Sequence, residues 1–310
     1  MTSPRLAGEA VALIEAAGGV LHYMEPYPTA EAIGALAARL GAIAILSRQG
    51  PVTAATMDRV PSLRIVARHG VGVDDVDVAE AARRGILVTR SPGSNTRAVA
   101  EHTLALILAL VKDLPQQSAA VAASGWRDAA TQVGDVAGLR LGLLGYGDIG
   151  RAVGRLAAAF DMDIMVLTRR GGAEGVATAR DLPHLLARSD VLSLHLPMNP
   201  SNRHIIGPAA LAQLPVGAFV INTSRGGLID EPALLDALNA GHIAGAGLDV
   251  FEQEPPRADD TLRRHPRVIV TPHVAGVTAG SMVAMGVMAA ECIAAVLRGE
   301  SPPPACVVTP

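Results

Sequence analysis

The sequence predicts an α/β protein built from two doubly wound parallel-sheet domains, and three observations support this fold class. Short, continuously apolar segments alternate with Ala- and Leu-rich stretches of helical length, which is typical of βαβ units whose strands are buried on both faces. The candidate strands are too numerous for one small domain, and 310 residues are enough for two. Apolar residues make up 50% of the chain and aromatic residues only 2%, so the core must be aliphatic.

Each strand is predicted from a short run rich in Val, Ile and Leu. The nine predicted strands are 42–47, 63–68, 85–90, 139–145, 163–169, 191–197, 218–224, 245–250 and 268–273. Helices are predicted at 5–17, at about 97–113 and at about 281–298. No strand is predicted before the first helix, although an α/β domain usually opens with one.

Two loop-like clusters predict where the chain passes between domains. They are "SPGSNT" (91–96) and "GVTAGS" (276–281), both rich in Gly, Ser and other turn residues. The first domain is therefore expected to comprise residues 1–96 plus 282–310, and the second to comprise residues 97–281.

Composition excludes several classes of function. The net charge is −3 and charges of both signs are mixed, so no basic face for nucleic acid is expected. The most apolar run, "TLALILALV" (103–111), is too short to span a bilayer, and the N-terminus does not resemble a signal peptide. Cys292 and Cys306 are expected to be free thiols in the cytoplasm, and no metal site is expected.

A glycine-rich loop is the strongest local motif. The segment "GYGDIG" follows a predicted strand and opens a helix, with glycines at Gly145, Gly147 and Gly150. The first glycine allows a tight turn, the second lets the backbone approach a pyrophosphate, and the third lets helix and strand pack closely. Free N–H groups at the helix start would hold the phosphates. Asp148 and Ile149, inside the loop, are assigned to the same dinucleotide site.

The tip of the next strand addresses the choice of dinucleotide. An acidic residue that accepts ribose hydroxyl groups is typical there, but this chain has the neutral Thr168 followed by Arg169 and Arg170. An arginine can bind a 2′-phosphate with paired N–H donors, whereas an acid would repel it. NADP(H) is therefore favoured, with NAD(H) possible. The alternative is that both arginines simply point into solvent.

Three further stretches lie at predicted strand ends: "INTSRGGLID" (221–230), "GLDVFEQEP" (247–255) and "VTPHVAG" (270–276). Together with the glycine loop and with 68–88 and 94–110, they resemble the D-isomer-specific 2-hydroxyacid dehydrogenase family. The family includes phosphoglycerate, glyoxylate and hydroxypyruvate dehydrogenases or reductases, and formate dehydrogenase. The resemblance implies a Rossmann nucleotide domain, a smaller flavodoxin-like substrate domain and a homodimer.

The resemblance assigns three catalytic residues. Arg225 matches the arginine that binds the substrate carboxylate and polarises the 2-oxo group. His273 matches the general acid and base, and Glu254 matches its carboxylate partner. These residue types suit the chemistry, because a carbonyl that accepts a hydride also needs a proton, which histidine can supply near neutral pH.

The resemblance also assigns binding residues, each less specific than the catalytic three. The substrate would contact Arg48, Val71, Gly72 and Asn95. The cofactor would contact Thr103, His195, Pro197, Thr223, Ser224, Asp249 and Gly276. His195 has a purely structural role as its alternative, and Trp126 is expected to be a packing anchor rather than a substrate contact.

The predicted activity is interconversion of a small 2-oxoacid and a D-2-hydroxyacid by hydride transfer, in a reductase of the glyoxylate or hydroxypyruvate type that prefers NADPH. Two alternatives stay open. One is a dehydrogenase of the 3-phosphoglycerate type. The other is a non-catalytic, nucleotide-sensing protein similar to the corepressors that share this fold.

Overall fold

The computed structural model describes residues 5–127, 131–169 and 175–308. The chain divides into two compact units, Met1–Asn95 with Val277–Pro310 and Thr96–Gly276. The chain returns to the first unit at Val277, inside the loop cluster 276–281, whereas the domain bound was set at residue 282. The reason is that the Thr278 hydroxyl caps the last helix by accepting from the Ser281 N–H, so this segment belongs to that helix.

The first unit contains a three-stranded parallel sheet in the order β1-β2-β3. Its elements are α1 (Gly8–Ala16), α2 (Ala30–Leu40), β1 (Ala44–Ser47), α3 (Ala54–Asp58), β2 (Ile65–Arg68), α4 (Val78–Arg83), β3 (Leu87–Thr89) and α11 (Ala279–Leu297). Within the described residues, α1 is the first element of this unit.

Alternate residues of these strands fill opposite faces of the sheet. Leu46 and Ile65 pack with α1 and α11, whereas Ile45 and Val66 pack with α2, α3 and α4. Within the described residues, α11 is the one helix long and apolar enough to cross a membrane, and 56% of that stretch is buried inside the protein. Its apolar character is accounted for by its place in this core.

The second unit contains a seven-stranded parallel sheet in the order β10-β9-β8-β7-β4-β5-β6. Its elements are α5 (Thr96–Val111), α6 (Leu114–Ala122), β4 (Arg140–Leu144), α7 (Asp148–Ala158), β5 (Asp163–Leu167), β6 (Ala177–Thr178), α8 (Leu182–Leu186), β7 (Val191–Leu194), α9 (Pro208–Leu211), β8 (Ala218–Asn222), α10 (Glu231–Asn239), β9 (Ile243–Leu248) and β10 (Val268–Val270).

The strand order reverses at β4, which lies between β5 and β7. In open α/β sheets, ligands bind outside the carboxyl ends of the strands at such a reversal. All nine predicted strands are present, several of them shorter than predicted. The two-residue β6 was not predicted, because so short a pairing leaves no periodic pattern.

Aliphatic side chains cover both faces of this larger sheet. Leu141 and Leu143 pack with α5 and α7 on one face, while Leu192 and Leu194 pack with α8, α9 and α10 on the other. The α/β class with parallel sheets is thus confirmed, and the core is aliphatic as the composition predicted.

Candidate active site

The glycine loop lies at the carboxyl end of β4, and each glycine has a steric reason. Gly145 has φ +101°, and a Cβ there would lie 2.4 Å from the carbonyl oxygen of His195. A Cβ at Gly150 would lie 2.4 Å from the Gly145 oxygen. No described atom lies within 4 Å of the position that a Cβ of Gly147 would take. The loop therefore leaves no room for side chains at Gly145 and Gly150, where it contacts the rest of the protein. At the start of α7 it is open, and this opening fits a pyrophosphate.

His195 borders this loop from the end of β7. Its N–H donates to the Leu144 oxygen (2.8 Å), and its Nε2 lies 3.0 Å from the Ser193 hydroxyl. Burial lowers the pKa of His195 to about 4, so the ring is neutral at physiological pH. Pro197 is exposed, and its carbonyl accepts from Asn202 Nδ2. His195 can shape the wall of the glycine loop, but it brings no positive charge to a phosphate.

The tip of β5 meets the same loop, because the Gly145 N–H donates to the Leu167 oxygen at 2.9 Å. Thr168 follows half-buried and Arg169 is exposed, whereas Arg170 lies outside the described residues. Arg151, on α7, places its guanidinium 5.8 Å from the ring centre of Tyr146. Sequence reasoning missed Arg151, although it directly follows the third glycine of the motif.

The loop that carries Arg225 follows β8 and is held by a buried amide. The side chain of Asn222, 1% exposed, accepts from the Ser224 N–H (3.0 Å) and donates to the Arg225 oxygen (2.9 Å). A Cβ at Gly226 would lie 1.9 Å from the carbonyl carbon of Phe251, so only glycine fits there. The position of Arg225 is therefore set by its neighbours. Asn222 was missed, although a polar residue ending a buried strand is a usable signal.

His273 and Glu254 form a pair. His273 Nδ1 lies 2.7 Å from Glu254 Oε2, and Glu254 Oε1 accepts from the Phe251 N–H at 3.1 Å. The side chains are 52% and 37% exposed, respectively. The carboxylate thus fixes one ring nitrogen and leaves Nε2, on the opposite edge, to face a ligand.

The electrostatics of this pair favour a protonated imidazole. The hydrogen bond to Glu254 raises the pKa of His273, an effect opposed by burial and by the positive charge of Arg225 but supported by the charges of Glu254 and Asp249. Burial alone would raise the pKa of Glu254. The hydrogen bond from His273 and the charges of His273 and Arg225 outweigh burial and hold that pKa below its usual value. The pair is therefore suited to proton transfer near neutral pH.

Asp249, which directly follows β9, forms hydrogen bonds to the loop that carries His273. It is 1% exposed, and its Oδ1 accepts from the Val274 N–H while its Oδ2 accepts from the Ala275 N–H, both at 2.8 Å. The sequence had assigned this carboxylate to the cofactor. In the structure the carboxylate accepts from these two backbone N–H groups and from the Thr271 hydroxyl, so it positions the loop of His273, and its predicted cofactor contact stays a prediction.

The part of the chain that carries these motifs is similar to known proteins. Residues 104–275 match the model of a family described as D-isomer specific 2-hydroxyacid dehydrogenase, NAD binding domain. The chain is 40% identical over 261 residues to the glyoxylate reductase of Korarchaeum cryptofilum, covering 82% of this chain and 79% of that one. The chain belongs to the D-isomer-specific 2-hydroxyacid dehydrogenase family.

Other members of this dehydrogenase family extend the comparison. The chain is 39% identical over 254 residues to the D-3-phosphoglycerate dehydrogenase of Methanocaldococcus jannaschii, covering 80% of this chain and 48% of the relative. It therefore spans about half the length of the curated phosphoglycerate dehydrogenases it matches. The crystal structure of TT0316 protein from Thermus thermophilus superposes with a TM-score of 0.90 at 34% identity, covering 98% of both chains.

In this family member, Arg68 organises the predicted substrate loops of the first unit. Its Nε donates to the Gly72 oxygen (2.9 Å), its Nη1 to the Arg48 oxygen (2.8 Å), and its Nη2 pairs with Asp75 (3.0 Å). Neither Val71 nor Gly72 donates its N–H to a backbone carbonyl of the described residues. Arg68 thus brings two predicted loops together, a role that sequence reasoning missed.

Asn95 ends the first unit, and its buried Oδ1 has no hydrogen-bond partner among the residues described. A buried polar atom of this kind usually has a water or a ligand as its partner. This observation supports the predicted substrate contact, which stays a prediction.

Thr103, which the family resemblance assigns to the cofactor, is buried beside Thr223. It has 0% exposure, its hydroxyl donates to the Val99 oxygen (2.8 Å), and it lies 3.0 Å from the hydroxyl of Thr223. Thr103 therefore supports Thr223, and its own contact with a cofactor stays a prediction. The Ser224 hydroxyl in turn donates to the Leu194 oxygen, so this turn is also tied to β7.

The candidate residues of the second unit share one edge of its sheet. Each of them follows one of six parallel strands: the glycine loop follows β4, Thr168 follows β5, His195 follows β7, Arg225 follows β8, Asp249 follows β9 and His273 follows β10. Gly276 is the last residue of this unit. In the first unit, Arg48 follows β1, and Val71 and Gly72 follow β2. The assignment of individual roles is a proposal.

Proposed function

We propose that this chain is an NAD(P)-dependent oxidoreductase that interconverts a small 2-oxoacid and a D-2-hydroxyacid, and that it is a reductase of the glyoxylate or hydroxypyruvate type. The observation that carries the proposal is the hydrogen-bonded His273–Glu254 pair, whose pKa values respond to the charge of Arg225. A proton donor and a cation thus lie at the sheet edge that also carries the glycine loop.

Each residue is proposed to have a separate part in the reduction of the 2-oxoacid. When bound, NAD(P)H supplies the hydride to the carbonyl carbon. Arg225 binds the substrate carboxylate with two N–H groups and stabilises the negative charge that grows on the carbonyl oxygen. His273 Nε2 donates a proton to that oxygen, and Glu254 stabilises the imidazolium before transfer. The N–H groups of Val71 and Gly72 are also proposed to bind the substrate carboxylate, and Arg48 and Asn95 are proposed as further substrate contacts.

A substrate screen tests this function. Purified protein is assayed for NADPH and NADH oxidation with glyoxylate, hydroxypyruvate and pyruvate, and for NAD⁺ reduction with 3-phosphoglycerate. Turnover of a short 2-oxoacid is the expected result. Activity with 3-phosphoglycerate alone would favour the phosphoglycerate-type alternative, to which the curated phosphoglycerate dehydrogenases lend support. Dinucleotide binding without any turnover would overturn the proposal in favour of a nucleotide-sensing protein.

NADPH preference is proposed from the tip of β5. Replacing Arg169 and Arg170 with alanine is expected to weaken NADPH binding by about tenfold or more, since charge-assisted bonds to the 2′-phosphate would be lost. NADH has no such phosphate, so its dissociation constant is expected to stay within about twofold. Fluorescence titration with both dinucleotides measures the difference.

The matched control is Arg188→Ala, which removes an exposed arginine elsewhere in the second unit. It is expected to leave both dissociation constants unchanged. Equal weakening of NADPH and NADH by the double alanine variant would refute recognition of the 2′-phosphate.

Glu254→Gln is expected to shift the pH dependence of the reduction. In the wild type, kcat/KM should fall as pH rises through the pKa of His273, because the imidazolium donates the proton. The substitution removes the carboxylate that raises this pKa, so the fall should move to lower pH. The rate near neutral pH should drop by about tenfold or more.

The exposed Glu9 provides the control, because Glu9→Gln lies in the first unit. A pH profile that does not move in the Glu254 variant would show that this carboxylate does not set the protonation of the general acid.

A homodimer and a cytoplasmic location are also proposed. No described residue of α6 is buried, and Trp126 is 82% exposed, so Trp126 is not the packing anchor that the sequence predicted. An exposed tryptophan beside an uncovered helix fits a contact with a second copy. Light scattering in solution would determine the oligomeric state.

Cys292 and Cys306 are both free and buried, as expected for a reducing compartment.

A further inference from the structure

The backbone of His273 adopts a conformation that a side chain makes costly. Its φ is +54°, in the left-handed region where residues other than glycine are uncommon. Such a conformation persists only where the surrounding structure holds it in place. The loop from Thr271 to Ala275 must therefore be held by specific contacts.

Asp249 provides these contacts through both its main chain and its side chain. Its carbonyl accepts from the His273 N–H at 2.8 Å, and its carboxylate accepts from the next two N–H groups, of Val274 and Ala275. The orientation of the Asp249 carboxylate therefore decides where the imidazole of His273 lies.

Two further side chains fix that carboxylate. The Thr271 hydroxyl donates to Asp249 Oδ1 at 2.6 Å, and His102 Nε2 lies 2.9 Å from the same hydroxyl oxygen. A hydroxyl has one proton, which is already donated to Asp249, so it must accept from His102. His102 Nε2 therefore carries a proton, and it lies 3.8 Å from Asp249 Oδ1 itself.

We propose that His102 and Thr271 are positioning residues for His273, acting through the chain His102 Nε2–H to Thr271 Oγ–H to Asp249 Oδ1. This inference rests on the proposed function, because it assumes that His273 transfers the proton. His102 lies on α5 and its side chain is 22% exposed, so it anchors the catalytic loop to a helix beside the sheet. Neither residue touches the reacting atoms.

The test compares Thr271→Val, which keeps the shape but removes the hydroxyl, with Thr271→Ser, which keeps the hydroxyl. Valine is expected to lower kcat by about tenfold or more, since it leaves the His102 N–H and the Asp249 oxygen without their shared partner. The KM values and the NADPH dissociation constant should change by less than about twofold. Serine should restore kcat to near the wild-type value. His102→Ala should act in the same direction and serves as the second variant should the valine variant fail to fold.

A second readout does not depend on turnover. The imidazole resonance of His273, assigned with His273→Gln, is followed by NMR as a function of pH in the unliganded protein. Thr271→Val should lower the pKa of His273, because the ring loses its alignment with Glu254. The control is Thr56→Val, which removes a buried hydroxyl that donates to the Ala30 oxygen in the first unit. That control should lower thermal stability without changing the pKa or kcat.

The outcomes separate the two proposals. If Thr271→Val and His102→Ala both leave the pKa of His273 and kcat at their wild-type values, the positioning role is wrong. If the wild type turns over no 2-oxoacid but the His273 pKa still falls in the valine variant, the network holds and the proposed function fails. Loss of stability alone, as in the control, would show a merely structural role.

Discussion

His273→Ala is expected to lower kcat by about 10²–10⁴-fold, the usual contribution of a positioned general acid. The reason is chemical: hydride transfer leaves a negative charge on the carbonyl oxygen, and no other described group is proposed to deliver its proton. The NADPH dissociation constant should stay within about twofold, because the glycine loop and the tip of β5, rather than His273, are proposed to hold the dinucleotide. Steady-state kinetics and fluorescence titration measure the two quantities separately.

His184→Ala is the matched control for this substitution. His184 lies in α8 of the same unit, where its Nδ1 accepts from the Arg180 N–H on the protein surface. Its removal should leave kcat unchanged. Wild-type kcat in the His273 variant would remove the proton-transfer role, while a parallel loss of NADPH affinity would indicate a disturbed fold.

Arg225→Ala is expected to lower kcat/KM by about 10³-fold, through both a higher KM and a lower kcat. The KM rises because a paired hydrogen bond to the substrate carboxylate is lost, and kcat falls because the growing oxyanion loses a cation. Arg225→Lys should recover only part of this, because an ammonium group is a point charge that cannot form the paired contact. Kinetics with the best substrate from the screen provide the measurement.

The pH dependence of kcat/KM provides a second test of Arg225, because the direction in which the profile shifts depends on the charge removed. The positive charge of Arg225 lowers the pKa of His273, so its removal should move the fall in kcat/KM to higher pH. Glu254→Gln is expected to move it the opposite way. Arg39→Ala, an exposed substitution in the first unit, should move neither KM nor the pH profile. An unchanged KM in Arg225→Ala would exclude binding of the substrate carboxylate.

Burial and long-range contacts leave only weak signals in the local sequence. Trp126 looks like a core residue by type, yet it is 82% exposed. Thr103 matches a motif position, and its complete burial is a property that the motif does not specify. The return crossing at Val277 lies inside the loop cluster 276–281, but the contact between Thr278 and Ser281 decides where in that loop the cap of α11 begins. In each case the residue type was informative, but its surroundings decided the outcome.

The sequence by itself determined the α/β class, the nine principal strands, the glycine loop and the motif positions of Arg225, Glu254 and His273. These features are encoded locally, because strand periodicity and turn glycines need only neighbouring residues. The tertiary structure alone decided that Asn222 clamps the Arg225 loop, that Arg68 joins two loops, and that His102 meets Thr271 across 169 positions of sequence. Those contacts depend on which strands pair and in what register, which no local pattern specifies.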